Sequence, residues 1–158
     1  MNDYYKECLE KGLEYQDFVT VKMAKELGII ISNFSSKQYQ YNIGENQQGI
    51  EIKFDDKYKE TGNLYIETSE KSCATMSSYT KSGIYRNDNT WLYLIGNYES
   101  IFIFGKKILQ IQCESKKYRK VVTPTSKGFL LDDKGQKTAL KIIKCSCLKG
   151  GGCENLPS

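Results

Sequence analysis

Histidine is absent from all 158 residues. That one absence removes every mechanism needing an imidazole as base, nucleophile partner or zinc ligand, so Ser-His-Asp, Cys-His and HExxH chemistries are excluded together. Proline occurs twice, which speaks against long extended linkers. No apolar run approaches the roughly 18 residues of a membrane span, and no basic start precedes an apolar stretch with a small-residue cleavage site. The expectation is an intracellular, cytoplasmic protein.

What remains is a globular composition: 39% hydrophobic and 27% charged residues, with 12 Tyr, 6 Phe and a single Trp. A chain of this length fits one domain and buries roughly 70% of the surface its unfolded form exposes, so it can build a core without disulfides. Of the six cysteines, Cys8, Cys73 and Cys113 are scattered and read as reduced thiols. Cys145, Cys147 and Cys153 crowd into CSCLKGGGC without a fourth ligand nearby, short of the set structural zinc wants. The expected organisation is a domain over 1–144 and a flexible, reduced Cys/Gly-rich tail over 145–158.

The net charge of +4 alone does not imply nucleic acid, but its distribution says more. Between Gly105 and Val122 stand Lys106, Lys107, Lys116, Lys117, Arg119 and Lys120 against one acid, Glu114. That run is the first candidate for phosphate contact, and tyrosines such as Tyr65, Tyr85 and Tyr93 are candidates for stacking on bases.

Leu9, Leu13, Phe18, Val21, Ala24 and Leu27 recur at helical spacing over residues 3–27, with Gly28 where a C-terminal cap would fall and Gly12 the weak point. KQYQYNIG, GIEIKFDD and GNLYIETSEK read as three strands, with NQQG and DDKYKETG as turns between them. TWLYLIGNYESIFIF reads as a hairpin, and KILQIQ fits either a short helix or a strand. KVVTPTSKGFLL reads as two short strands around a turn, and DDKGQKTALKIIK as a closing helix capped by Asp132 or Asp133. The sum is an α+β fold with a mixed sheet flanked by N- and C-terminal helices.

In the stretch GENQQGIEIKFDD, strand alternation sends Ile50, Ile52 and Phe54 to one face and Glu51 and Lys53 to the other. If the sheet is covered on both faces, Glu51 and Lys53 stand in a cleft. Two carboxylates, Glu45 and Glu51, suit Mg²⁺ or Mn²⁺ through hard oxygen ligands, and the carbonyl of Ile52 completes the shell. A lysine beside them orients water or offsets developing charge, as phosphodiester hydrolysis requires.

This pattern, an acid, a short gap and then ExK on a strand, resembles the PD-(D/E)xK nuclease superfamily. The wider string from GEN through GIEIKFD to ETGNLYIE resembles its small phage-type endonucleases and Holliday-junction-resolvase-like members over residues 10–105. The resemblance implies a restriction-endonuclease-like fold and a Mg²⁺-dependent endonuclease acting on DNA. Glu45 would stand for the first acid, Glu51 and Lys53 for the ExK, and Glu14 for the acid many members carry on their first helix. A Gly-Glu replaces the usual Pro-Asp. Asp55 either binds a second cation or ends the strand, and Glu67 either joins the site or lies on the far face. Cutting both strands of DNA would favour a homodimer. The rival expectation is a non-catalytic nucleic-acid-binding or adaptor protein of the same architecture.

Overall fold

The first periodic segment folds as α1 (Asp3–Leu27), which continues unbroken through Gly12 in the computed structural model, where residues 3–143 are described. Tyr15, Val19 and Met23, at helical spacing of four, form its buried stripe. The helix stops at Gly28, a left-handed residue with φ 65° whose N–H donates to Ala24 O at 3.2 Å.

Two four-stranded sheets follow. The first is mixed, in the order β1 (Ile50–Phe54), β4 (Leu92–Gly96), β5 (Ser100–Gly105) and β8 (Leu140–Ile143). β1 runs parallel to β4, while β4 with β5 forms the expected hairpin and β8 adds antiparallel to β5. The second sheet is antiparallel, in the order β3 (Thr80–Lys81), β2 (Leu64–Glu70), β7 (Ser126–Leu131) and β6 (Arg119–Val122). The chain is therefore α+β.

The layers follow from side-chain alternation. One face of the first sheet presents Ile50, Ile52, Leu94 and Ile101 to Tyr15, Val19 and Met23 of α1. Its other face presents Tyr93, Ile95, Phe102 and Phe104 to Leu64, Ile66, Phe129 and Leu131 of the second sheet. Glu51 and Lys53 register beside Tyr93 and Ile95, so they share this inter-sheet face.

Several elements differ from expectation. KQYQYN forms α2 (Lys37–Asn42), not a strand; its alternation has no neighbouring strand to pair with, and Lys and Gln are good helix formers. Within DDKYKETG, a one-turn helix, α3 (Tyr58–Thr61), replaces the expected turn. KILQIQ lies in α4 (Lys106–Glu114). The closing helix is only α5 (Asp133–Gln136), with Asp132 as cap, its Oδ1 accepting from Gly135 N at 3.0 Å. β8 then takes over, because the exposed edge of β5 offers a hydrogen-bonded ladder that outweighs the helical spacing of Ala139, Ile142 and Ile143. The strands around TPTS are β6 and β7, as expected. The Cys145, Cys147 and Cys153 cluster and the tail lie outside the described residues. Among the described residues, no helix is long and apolar enough to cross a membrane.

Phe104 is fully buried between the sheets. Phe104→Ala should lower unfolding free energy by about 3–5 kcal/mol in urea titrations, whereas Ile111→Ala, on the exposed side of α4, should change it by about 0.5 kcal/mol or less. Equal losses would contradict the inter-sheet core.

Candidate active site

β1 is an edge strand, and its free edge is occupied by a side chain instead of another strand. Asn46, fully buried, accepts from Ile50 N at 2.9 Å and donates Nδ2 to Ile50 O at 2.7 Å and to Asn33 Oδ1 at 3.0 Å. Its amide thus does for Ile50 what a paired strand would do. Two residues on, Ile52 N donates to Glu45 Oε2 at 3.3 Å. Because the N–H and C=O of one strand residue point to the same side, the Ile52 carbonyl faces the free edge on which Glu45 lies. The loop carrying Glu45 is held from behind by Asn89, whose Nδ2 donates to Asn46 O at 2.7 Å. Gly44 and Gly49 have φ of 135° and 70°, and a Cβ on either would fall 1.9 Å and 2.4 Å from Asn89 atoms, so only glycine fits at both.

On the inter-sheet face, Glu51 is only 4% exposed and its Oε1 lies 2.8 Å from Lys53 Nζ. The Lys53 side chain keeps 47% of its area open to solvent. Its ammonium form is favoured first by the charge of Glu51, against burial, with further help from Glu45 and Glu67. Burial, followed by the charge of Glu51, pushes the Glu45 carboxyl up to about 7, although Lys53 and the Ile52 N–H pull the other way. Glu45 and Glu51 lie close enough for the charge of one to hold a proton on the other. Tyr93, registered against Glu51, has its hydroxyl pKa raised by burial and then by that carboxylate. The arrangement is two carboxylates for one lysine.

Of these groups, Lys53 and Tyr93 border a cleft of about 530 Å³ that Tyr65, Glu67 and Ile95 also line, while Glu51 reaches it through its contact with Lys53. Glu67 reaches it from β2. Its Oε1 accepts from Ser82 Oγ at 2.7 Å and its Oε2 from Ser126 Oγ at 3.0 Å, while Ser126 also hydrogen-bonds Tyr65 OH. Glu67 therefore stands with Lys53 on the cleft. Asp55 has both oxygens engaged, Oδ1 by Tyr58 N at 3.0 Å and Oδ2 by Tyr65 N at 2.8 Å. It ties the end of β1 to α3 and β2, which makes it the strand terminator of the two readings.

Glu14 does not join this group. It is exposed on α1, and the helix residue that meets Glu45 is Gln16, whose Nε2 donates to Glu45 Oε2 at 3.3 Å. Two positions along a helix rotate a side chain by about 200°, so Glu14 and Gln16 cannot share a face.

The basic run is also divided. Lys106 is committed to Asp88 at 3.2 Å and to Arg86 O at 2.8 Å, with both charged side chains largely buried, so its charge is spent inside the fold. Lys107 is exposed at the start of α4, about 13 Å along the helix from Lys116 and Lys117 beyond its end. Arg119 and Lys120 pair with Leu130 and Phe129 and point to opposite faces of the second sheet.

Among the described residues, no group of three or more acidic, thiol or imidazole side chains is gathered as a metal set. Cys8, Cys73 and Cys113 are free thiols. No family model, no curated protein and no solved structure matches this chain. The roles of these residues rest on their geometry and chemistry.

Asn46, Gln16 and Arg86 were not legible as site residues. Arg86 pairs with Glu70 at 2.9 Å and is also favoured in its charged form by Glu51. The only available signal was the position of Asn46 four residues before the first strand residue, the reach from which its amide bridges Ile50.

The elevated pKa of Glu45 has a direct consequence for stability. An unfolded glutamate titrates near 4.3, so between about pH 4.3 and about pH 7 the native chain retains a proton the unfolded chain has lost, and stability falls as pH rises through that window. Glu45→Gln should remove this fall, so its thermal midpoint should gain on wild type between about pH 5 and about pH 8. Parallel curves would contradict the elevated Glu45 carboxyl.

Proposed function

We propose that the cleft beside β1 hydrolyses phosphodiester bonds in DNA with Mg²⁺ or Mn²⁺ as its cation, through a PD-(D/E)xK-type site. The observation that carries this reading is the placement of two carboxylates, the buried Glu51 and the half-buried Glu45, around one lysine. Such a pair is short of positive charge, and its hard oxygens suit a small divalent cation. Mg²⁺ commonly binds one or two carboxylates and keeps several waters, so the donor set of Glu45, Glu51 and the edge-facing Ile52 carbonyl fits it. When bound, the cation supplies neutralisation of phosphoryl charge and acidification of a water molecule.

The chain's own groups do the rest. Lys53, held cationic by Glu51 and half open to the cleft, donates to a non-bridging phosphate oxygen or orients the attacking water. Gln16 and the Ile52 N–H fix Glu45 Oε2, leaving its other oxygen available. The two serine hydroxyls hold Glu67 within electrostatic reach of Lys53, where its carboxylate keeps the ammonium from leaving the cleft. The packing of α1 on one face of the mixed sheet, with Glu51 on the covered opposite face of β1 and Glu45 at its free edge, supports kinship of architecture with restriction-endonuclease-like folds. A homodimer would allow two such clefts to cut both strands.

A second reading, a non-catalytic nucleic-acid-binding or adaptor protein, draws on the absence of a three-ligand group among the described residues. The two readings part on turnover. Glu51→Gln and Lys53→Met should each lower Mg²⁺-dependent DNA cleavage at least about a hundredfold while leaving the far-UV spectrum unchanged. Cleavage at the wild-type rate in either variant would refute the assignment, and no cleavage by wild type with retained DNA binding would favour the second reading.

A further inference from the structure

On the face of the second sheet turned toward α4 lies a second groove of about 350 Å³. Lys81 from β3, Lys127 from β7, Lys120 from β6 and Lys116 beyond α4 surround it, so three strands and the turn after α4 each contribute one lysine. All four are exposed. Among the described residues none has an ion-pair partner, and no carboxylate lines the groove. Tyr85 and Tyr118, both half-buried, add ring surface between the lysines.

Two further features hold these charges in place. Lys127 Nζ sits 4.1 Å from the centre of the Tyr79 ring, and that ring is anchored by its hydroxyl, which donates to Thr123 O at 2.6 Å. Lys116 has φ 55°, and it is the one non-glycine residue of positive φ among the described residues. Glycine favours this position after a helix, and a lysine there costs roughly 1–2 kcal/mol relative to it. A side chain kept at that cost, on the rim of a groove without acids, points to a ligand that its charge contacts.

We propose that this groove binds an unpaired nucleic-acid strand, its phosphates on Lys81, Lys116, Lys120 and Lys127 and a base against Tyr85 or Tyr118. Cations spaced around ring surface are the arrangement that holds single strands without reading sequence. The volume is on the scale of one nucleotide, whereas a duplex, whose own major groove is about 12 Å wide, cannot enter it. Val121 borders both this groove and the Lys53 cleft, so a strand rounding the edge of β6 passes from one to the other. Capture needs neither Glu51 nor Lys53; only delivery to the cleft rests on the phosphodiesterase reading, and it names a substrate with an unpaired strand.

Fluorescence anisotropy in EDTA with a labelled oligothymidine of about 12 nucleotides, and with a duplex of equal length, tests the groove. The single strand should bind at least about tenfold tighter, with log K falling against log salt at a slope near −3, as four neutralised phosphates give. Lys120→Ala and Lys127→Ala should each make that slope shallower by about 0.7, and Lys107→Ala should leave it unchanged. Lys116→Gly should weaken binding similarly while raising the thermal midpoint, a pairing a merely structural lysine would not produce. Equal or tighter binding of duplex, slopes unmoved by the groove variants, or displacement by polyglutamate as readily as by oligothymidine would overturn the proposal. Lost strand binding with intact cleavage overturns the groove alone; intact strand binding without cleavage overturns the cleft alone.

Discussion

The register of β1 between two layers is the constraint on which the rest depends. Ile50 and Ile52 are committed to the α1 stripe of Tyr15, Val19 and Met23, and the parallel pairing with β4 sets Glu51 beside Tyr93 and Lys53 beside Ile95. A one-residue slip would drive a carboxylate and an ammonium into the apolar layer under α1 and expose two isoleucines to the cleft. The penalty for burying unpaired charge in that layer is large enough to forbid the slip. Apolar packing on one face thereby aims the chemistry on the other.

Electrostatics then follows from confinement. A carboxylate 4% exposed is tolerated only with a partner, and Lys53 Nζ at 2.8 Å provides it. Glu45 arrives at the same place by a different route, on a loop pinned to the strand edge by the Asn46 amide. With one lysine already engaged, the second carboxyl holds its proton up to about pH 7. The same shortage of positive charge that raises this pKa is what a divalent cation would relieve.

Much of this was legible in the sequence because it depends on local periodicity. The long helix, the alternation of IEIKF and the hairpin around GNYES all express a period of 3.6 or 2 that no distant contact needs to complete. What was hidden depended on partners far along the chain. β8 carries the helical spacing of Ala139, Ile142 and Ile143 but pairs with β5, and KQYQYN alternates without a strand to meet. Glu14 is spaced to suit a site acid, yet the helix presents Gln16 to Glu45. Lys106 lies within a basic run, yet it is neutralised by Asp88, 18 residues away. The unpaired groove lysines come from three strands and the turn after α4, which no linear charge count could assemble.

The most direct test of the central claim is the anomalous density of a crystal soaked in Mn²⁺. The account predicts one peak within coordination distance of Glu45 and Glu51 carboxylate oxygens and the Ile52 carbonyl, with Lys53 displaced from its direct contact with Glu51 or sharing it. Unchanged Lys53–Glu51 pairing with no manganese between residues 45 and 53 at millimolar concentration would contradict it.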